Sequence, residues 1–175
     1  MSDLETRLKS TIRDIPDFPK PGIIFKDITP ILSDASLLQA CVDHLAAQFG
    51  DANIDAVVGM ESRGFIFGAP LALALGVAFV PARKPGKLPY DSIGVEYDLE
   101  YGTARLEMHT DAVGEGARVL VVDDLLATGG TAAATNSLIR ELGAQIVANC
   151  FVIELSFLPG REAIGDIPVH SIVTY

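Results

Sequence analysis

The strongest chemical signal in the chain lies between Val119 and Thr131, Val-Leu-Val-Val-Asp-Asp-Leu-Leu-Ala-Thr-Gly-Gly-Thr. An apolar β-branched run delivers two acids, Asp123 and Asp124. It then passes through Ala127, Thr128, Gly129, Gly130 and Thr131 into a helical window. In open α/β sheets ligands sit beyond the carboxyl ends of strands. A small-residue loop entering a helix there offers backbone N–H groups, hydroxyls and the positive end of the helix dipole to a phosphate. The segment reads as an anion cradle beside paired acids. Composition alone leaves that reading level with an ordinary glycine turn behind a strand-end cap. A Walker A loop is excluded, since no Gly-Lys-Ser/Thr follows the glycines, and no dinucleotide fingerprint is present.

A polyanionic ligand also needs cations. Between Asp27 and Ala104 the only Lys or Arg residues are Arg63, Arg83, Lys84 and Lys87, in two short stretches, whereas plain surface cations tend to scatter. Phe25 is a candidate stacking face, although periodicity alone favours a core aromatic. His44, His109 and His170 are isolated and read as surface or structural side chains, because no partner spacing supports a metal site or a triad. Ser62 lacks the Gly-x-Ser-x-Gly elbow of a hydrolase nucleophile. Cys41 and Cys150 form no CxxC pair and read as small core residues in a reducing compartment.

Positioning these groups requires alternating strands and helices, and the sequence supplies them. Ser2 and Glu5 have capping-box spacing, and Leu4, Leu8 and Ile12 share a helical face, predicting a helix over 3–13. Pro16, Pro19, Pro21 and Gly22 end it, and the apolar segment Ile23 to Pro30 is expected as a structured loop or short strand. Asp34 can cap a helix carrying Leu37, Leu38, Cys41, Leu45 and Phe49. A buried strand is predicted over 56–60, a helix over 64–75 stopped by Gly76 and kinked by Pro70, and a strand over 77–80. Loop composition follows from Arg83 to Tyr90, then a hairpin from Val95 to Met108 turning near Tyr101-Gly102. A strand over 118–122, a helix over 130–142 and a strand over 146–153 complete a βαβ pattern, hence a mainly parallel sheet in one α/β domain.

Bulk properties narrow the function. The 175 residues are 49% hydrophobic and carry 13 Lys plus Arg against 23 Asp plus Glu, a formal charge of −10. The chain should therefore fold, and its acid excess argues against broad contact with nucleic acid or an anionic membrane. The uncharged window Phe65 to Ala82 approaches spanning length, but Gly68, Pro70, Gly76 and Pro81 interrupt it, favouring a buried helix and strand. The N-terminus shows acids and no apolar h-region, so a secretory signal is not expected and a cytoplasmic location is.

The Val119 to Thr131 segment resembles the 5-phosphoribosyl-1-pyrophosphate (PRPP) signature of the type I phosphoribosyltransferases, and its Leu-Leu-Ala-Thr-Gly-Gly-Thr form is similar to the adenine phosphoribosyltransferases. Phe18 to Pro30, Glu61 to Phe65, Ala82 to Pro89 and Leu99 to Gly102 resemble that family's other blocks, in its order. The resemblance implies a single domain over 1–175: a twisted, mainly parallel sheet flanked by helices, a flexible lid loop, and a small N-terminal hood over about 1–33 that contributes to base binding. It implies Mg²⁺-dependent transfer of phosphoribosyl from PRPP to adenine, giving AMP and pyrophosphate in purine salvage, by a homodimer with no nucleic-acid or membrane partner.

Carried onto this sequence, the resemblance assigns the 5-phosphate to Ala127, Thr128, Gly129, Gly130 and Thr131. It assigns the ribose 2- and 3-hydroxyls to Asp123 and Asp124, directly or through Mg²⁺, and pyrophosphate to Arg63, Arg83, Lys84 and Lys87. The base falls to Ile24, Phe25 and Lys26, and a proton near N7 to Glu100, with Tyr101 touching the lid. A strained peptide at Glu61-Ser62-Arg63 is expected to aim backbone N–H at pyrophosphate. Lys26 stands where Arg is frequent in relatives, and Pro85 where relatives can carry a basic residue. Two other functions stay open: the same transfer to hypoxanthine, guanine, xanthine or orotate, since PRPP machinery does not encode the base, and a PRPP-sensing regulator that binds RNA or DNA, against which the charge and the lack of a basic stripe weigh.

Overall fold

The computed structural model describes residues 3–98 and 103–175. In chain order the elements are α1 (Asp3–Thr11), β1 (Arg13–Pro16), β2 (Ile24–Asp27), α2 (Thr29–Leu32), α3 (Ala35–Ala47), β3 (Ala56–Met60), α4 (Gly64–Leu75), β4 (Ala78–Ala82), β5 (Ser92–Asp98), β6 (Thr103–His109), β7 (Arg118–Leu126), α5 (Gly130–Glu141), β8 (Gln145–Glu154), α6 (Gly160–Ile164) and β9 (Val169–Thr174). Five strands form one parallel sheet in the order β4-β3-β7-β8-β9, while β1-β2 and β5-β6 are separate antiparallel pairs.

Strands covered on both faces read as unbroken apolar runs, and β3 is buried at every residue. Successive side chains leave a strand on opposite sides. Leu120 and Val122 of β7 therefore enter one core with Leu37, Cys41 and Leu45 of α3 and Phe67 and Leu71 of α4. Val119 and Val121 enter the other, with Leu138 and Ile139 of α5 and Leu106 and Met108 of β6. Each fully buried side chain of this size, such as Phe67 or Phe151, stabilises by about 1.5–3 kcal/mol relative to exposure. Leu8 and Ile12 of the N-terminal segment, with Ile28 and Ile31, share the first core rather than building their own.

The helix from Gly64 to Leu75 has the predicted bounds and is ended by Gly76 at φ +70°. It runs on through Pro70, which only deprives the Ile66 carbonyl of its helical donor. Asp34 caps α3 by accepting from the Ser36 and Leu37 N–H groups.

Other boundaries moved. The first helix stops at Thr11, and its predicted cap, Ser2, lies outside the described residues. Val77 donates to the Ala72 carbonyl in the helix terminus, and the strand that follows runs on through Pro81, which an edge strand tolerates. β7 reaches Leu126, so the two acids lie inside the strand and not beyond it. The turn near Tyr101-Gly102 is outside the described residues, but its flanking strands pair from Ser92↔His109 to Asp98↔Thr103.

Candidate active site

At the carboxyl end of β7 the sheet and the start of α4 come together. A Cβ on Gly64 would lie 2.5 Å from the Val122 carbonyl oxygen, so only glycine lets the helix begin in contact with the strand. That approach brings Arg63 onto Asp124, Nε to Oδ2 at 2.5 Å, a charge-assisted bond to a buried carboxylate. The same guanidinium lies 5.6 Å from the centre of the Phe25 ring, which meets Phe18 edge-on at 5.2 Å. Arg63 thus joins the aromatic N-terminal segment to the paired acids. Within the pair, Asp123 Oδ1 accepts the Asp124 N–H at 2.8 Å. Burial, and then the neighbouring charge of Asp124, push the Asp123 carboxyl well above its usual value.

The peptide between Glu61 and Ser62 is cis. Glu61 anchors the next loop: its carboxylate receives the Lys84 N–H at 2.9 Å and Arg83 through Nε and Nη2, both at 3.2 Å. Burial acts to raise Glu61, but those donors outweigh it and hold the carboxyl below its usual value. A third bond from Arg83, Nη1 to the Lys87 carbonyl at 3.0 Å, closes the loop on itself.

A cavity of about 710 Å³ opens here, walled by the turn Glu61 to Arg63, by Lys84 and Pro85, by Glu96, Tyr97 and Arg105 of the β5-β6 hairpin, and by Asp123, Asp124 and Thr131. A smaller cavity of about 90 Å³ adjoins it, sharing Asp123 and Thr131 and running along Ala127, Thr128, Gly129 and Gly130 to Phe151. Gly129 takes φ +81°, and no side chain caps α5, so the first N–H groups of that helix are left without intrahelical partners. The Thr131 hydroxyl donates to the Tyr97 phenol oxygen at 3.3 Å.

The loop is pressed from behind by α6: Cβ atoms on Gly129 and Gly160 would lie 2.5 Å from the Gly160 and Ala127 carbonyl oxygens respectively. α6 is moored by Arg161, which donates to the buried Glu154 carboxylate at 2.5 and 2.8 Å, with Ser171 adding a third donor at 2.8 Å. Those bonds, Arg161 foremost, hold Glu154 below its usual value.

Of the residues singled out in the sequence, Arg63, Lys84, Asp123, Asp124 and Thr131 wall the larger cavity, and Ala127 to Thr131 the smaller. Arg83 is committed to Glu61 and the Lys87 carbonyl. The Lys26 ammonium bonds Asp14 at 2.6 Å and lies 3.9 Å over the Tyr175 ring, so its side chain is committed within the protein. Ile24 is exposed beside Phe25 on β2. Glu100 and Tyr101 lie outside the described residues. Sequence reasoning missed Arg105 and Tyr97: each stands in a hairpin whose facing positions only the strand register reveals.

The geometry sets a loop of small residues at an uncapped helix start against a cavity walled by paired acids and by cations. Residues 31–160 match the phosphoribosyl transferase domain. The chain is 59% identical over 169 residues to the adenine phosphoribosyltransferase of Methylococcus capsulatus, covering 97% of this chain and 99% of that one. Its structure is similar to that of the adenine phosphoribosyltransferase from Thermoanaerobacter pseudethanolicus, with a TM-score of 0.94, 50% identity and coverage of 97% and 99%. It is also similar to the Saccharomyces cerevisiae enzyme complexed with D-2,5-dideoxy-2,5-imino-altritol 1,6-bisphosphate and adenine, with a TM-score of 0.91, 43% identity and coverage of 97% and 98%. The chain belongs to the adenine phosphoribosyltransferases, and is accordingly a pentosyltransferase of the type I fold.

Proposed function

We propose that this enzyme transfers phosphoribosyl from PRPP to adenine, releasing pyrophosphate and forming AMP, with Mg²⁺ and in the setting of purine salvage. The carrying observation is the continuity of the two cavities at Asp123 and Thr131, with Arg63 reaching Phe25 from the other end. That line supports a reading in which 5-phosphate, ribose, pyrophosphate and base would lie side by side along it.

In this reading Ala127 to Thr131 grip the 5-phosphate through backbone N–H groups and hydroxyls at the start of α5. Asp123 and Asp124 accept the ribose 2- and 3-hydroxyls. As the bond from C1 to pyrophosphate breaks, positive charge grows on the ring, and preorganised carboxylates act most strongly where charge develops. Arg63 and Lys84 receive the negative charge that leaves, while Arg83 and Lys87 hold their loop in shape. Phe25 packs on the base, main-chain groups around Ile24 and Lys26 read its edge, and Glu100 moves a proton near N7 as N9 attacks.

Mg²⁺ suits this donor set. It takes one or two carboxylates and completes its shell with water and substrate oxygens. Asp123, raised by burial beside a second acid, is a site whose repulsion a cation relieves. Bound by Asp123 and Asp124, the ion would neutralise part of the pyrophosphate charge.

Two further parts of the reading rest on the surface and the thiols. α4 bears no charged side chain, and its Leu73 is 83% exposed, which supports burial against a second copy in a homodimer. Cys41 and Cys150 are unpaired and buried, which suits the reducing cytoplasm. The test is a panel of bases with purified protein, Mg²⁺ and PRPP: adenine is expected to give AMP and pyrophosphate. Turnover of another base with none of adenine would sink the proposal.

A further inference from the structure

Arg105 is the one cation of the larger cavity that comes from the hairpin and not from the Arg63 turn or the Lys84 loop. It stands opposite Glu96 in the strand register, yet its ion pair runs along its own strand, Nε to Glu107 Oε1 at 3.2 Å. The other oxygen of that carboxylate receives the Gly86 N–H at 3.1 Å. The Glu107 main chain is bonded to Arg83 in both directions, at 2.9 and 2.7 Å. One carboxylate therefore aims the guanidinium and ties it to the loop that carries Lys84.

Gly94 provides the seat. A Cβ there would lie 2.6 Å from Arg105 Cζ, so the guanidinium in this position rests directly on the Gly94 backbone, and a larger residue would push it aside. Held through Nε, Arg105 has both Nη groups without a hydrogen-bond acceptor among the described residues. A planar guanidinium with two free donor nitrogens beside a polar cavity is matched to a phosphate, which it can grip bidentately. Arg105 is ion-paired, as Arg63 is with Asp124 and Arg83 with Glu61, but where Arg83 spends Nε, Nη1 and Nη2 on the protein, Arg105 spends only Nε and keeps both Nη groups for a ligand.

We infer that Arg105 is a further pyrophosphate-binding residue, supplied by the β5-β6 hairpin and aimed by Glu107. The inference rests on the transfer reaction proposed above. Because its side chain is 41% exposed, the contribution falls at the lower end for a charge-assisted bond, about tenfold in affinity.

The test is calorimetric titration of Mg²⁺-pyrophosphate and, separately, of AMP into wild type, Arg105→Gln and Arg105→Lys, alongside steady-state kinetics with PRPP. Arg105→Gln is expected to weaken pyrophosphate about tenfold and raise KM for PRPP similarly, leaving AMP affinity within twofold, and Arg105→Lys to recover part of the loss. A merely structural role would weaken both ligands or neither. Pyrophosphate affinity within twofold of wild type in Arg105→Gln, or an equal loss of AMP affinity, overturns the inference while adenine turnover by wild type leaves the proposed reaction standing. Absence of AMP formation by wild type would instead defeat the reaction on which it rests.

Discussion

Substituting Gly129 by Ala probes how the phosphate loop is held. At φ +81° the backbone is in the left-handed region, where a Cβ costs roughly 1–2 kcal/mol. The new methyl would also stand 2.5 Å from the Gly160 carbonyl oxygen and 2.8 Å from the Ala163 Cβ. Neither neighbour is the end of a flexible side chain. α6 cannot retreat freely, because Arg161 is bonded to Glu154 and Gly160 itself touches the Ala127 carbonyl. Overpacking of this kind adds about 1–3 kcal/mol. A total near 3 kcal/mol corresponds to a fall in Tm of roughly 6–12 °C for a chain of this size. The loop must shift by a substantial fraction of an ångström, so KM for PRPP and Kd for AMP should rise at least about tenfold. Urea unfolding and AMP titration read both effects. Gly114→Ala, where nothing lies within 4 Å, is the matched control and should be near neutral. If Gly129→Ala matched that control in stability and in AMP affinity, the account of a loop clamped by α6 would be wrong.

Glu154→Gln should loosen the same clamp from its far side and raise KM for PRPP more than it lowers kcat. Because Arg161 holds the Glu154 carboxyl below its usual value, its contribution is present above the unfolded-state value and is lost as pH falls through the lower folded one. The stability gap between wild type and Glu154→Gln should therefore be wide at neutral pH and close on acidification, and a gap that widens in acid refutes the assignment. Asp123→Asn with Asp124→Asn should cut kcat by about 10²-fold or more while thermal unfolding stays cooperative, since Arg63 is half exposed and can turn to water. Leu73→Asp on the outer face of α4 should convert a dimer to a monomer in sedimentation, and an unchanged mass would remove that face from the interface.

What could be read from the sequence was what is local along it. The run Val119 to Thr131 declares its strand, acids and phosphate loop because an N–H cradle is made by consecutive residues, and α4 declares its limits through Gly64 and Gly76. Structure without a local signature stayed hidden: β1 is Arg-Asp-Ile-Pro, exposed at each position and defined only by pairing with β2, and β9 is an edge strand of mixed polarity beside β8. The roles of the cations were hidden for the same reason. Residue type nominated Arg63, Arg83, Lys84 and Lys87 together, but which of them face the cavity depends on partners far away in the chain, Asp124 for Arg63 and Glu61 for Arg83. Arg105 enters the site through a register and a bare glycine across the hairpin. Sequence by itself determined the chemistry available and the family. Tertiary structure decided which charges are free to meet a ligand, because a charge is neutralised by whatever the fold places beside it, near in the chain as Glu107 is to Arg105 or far from it as Asp124 is from Arg63.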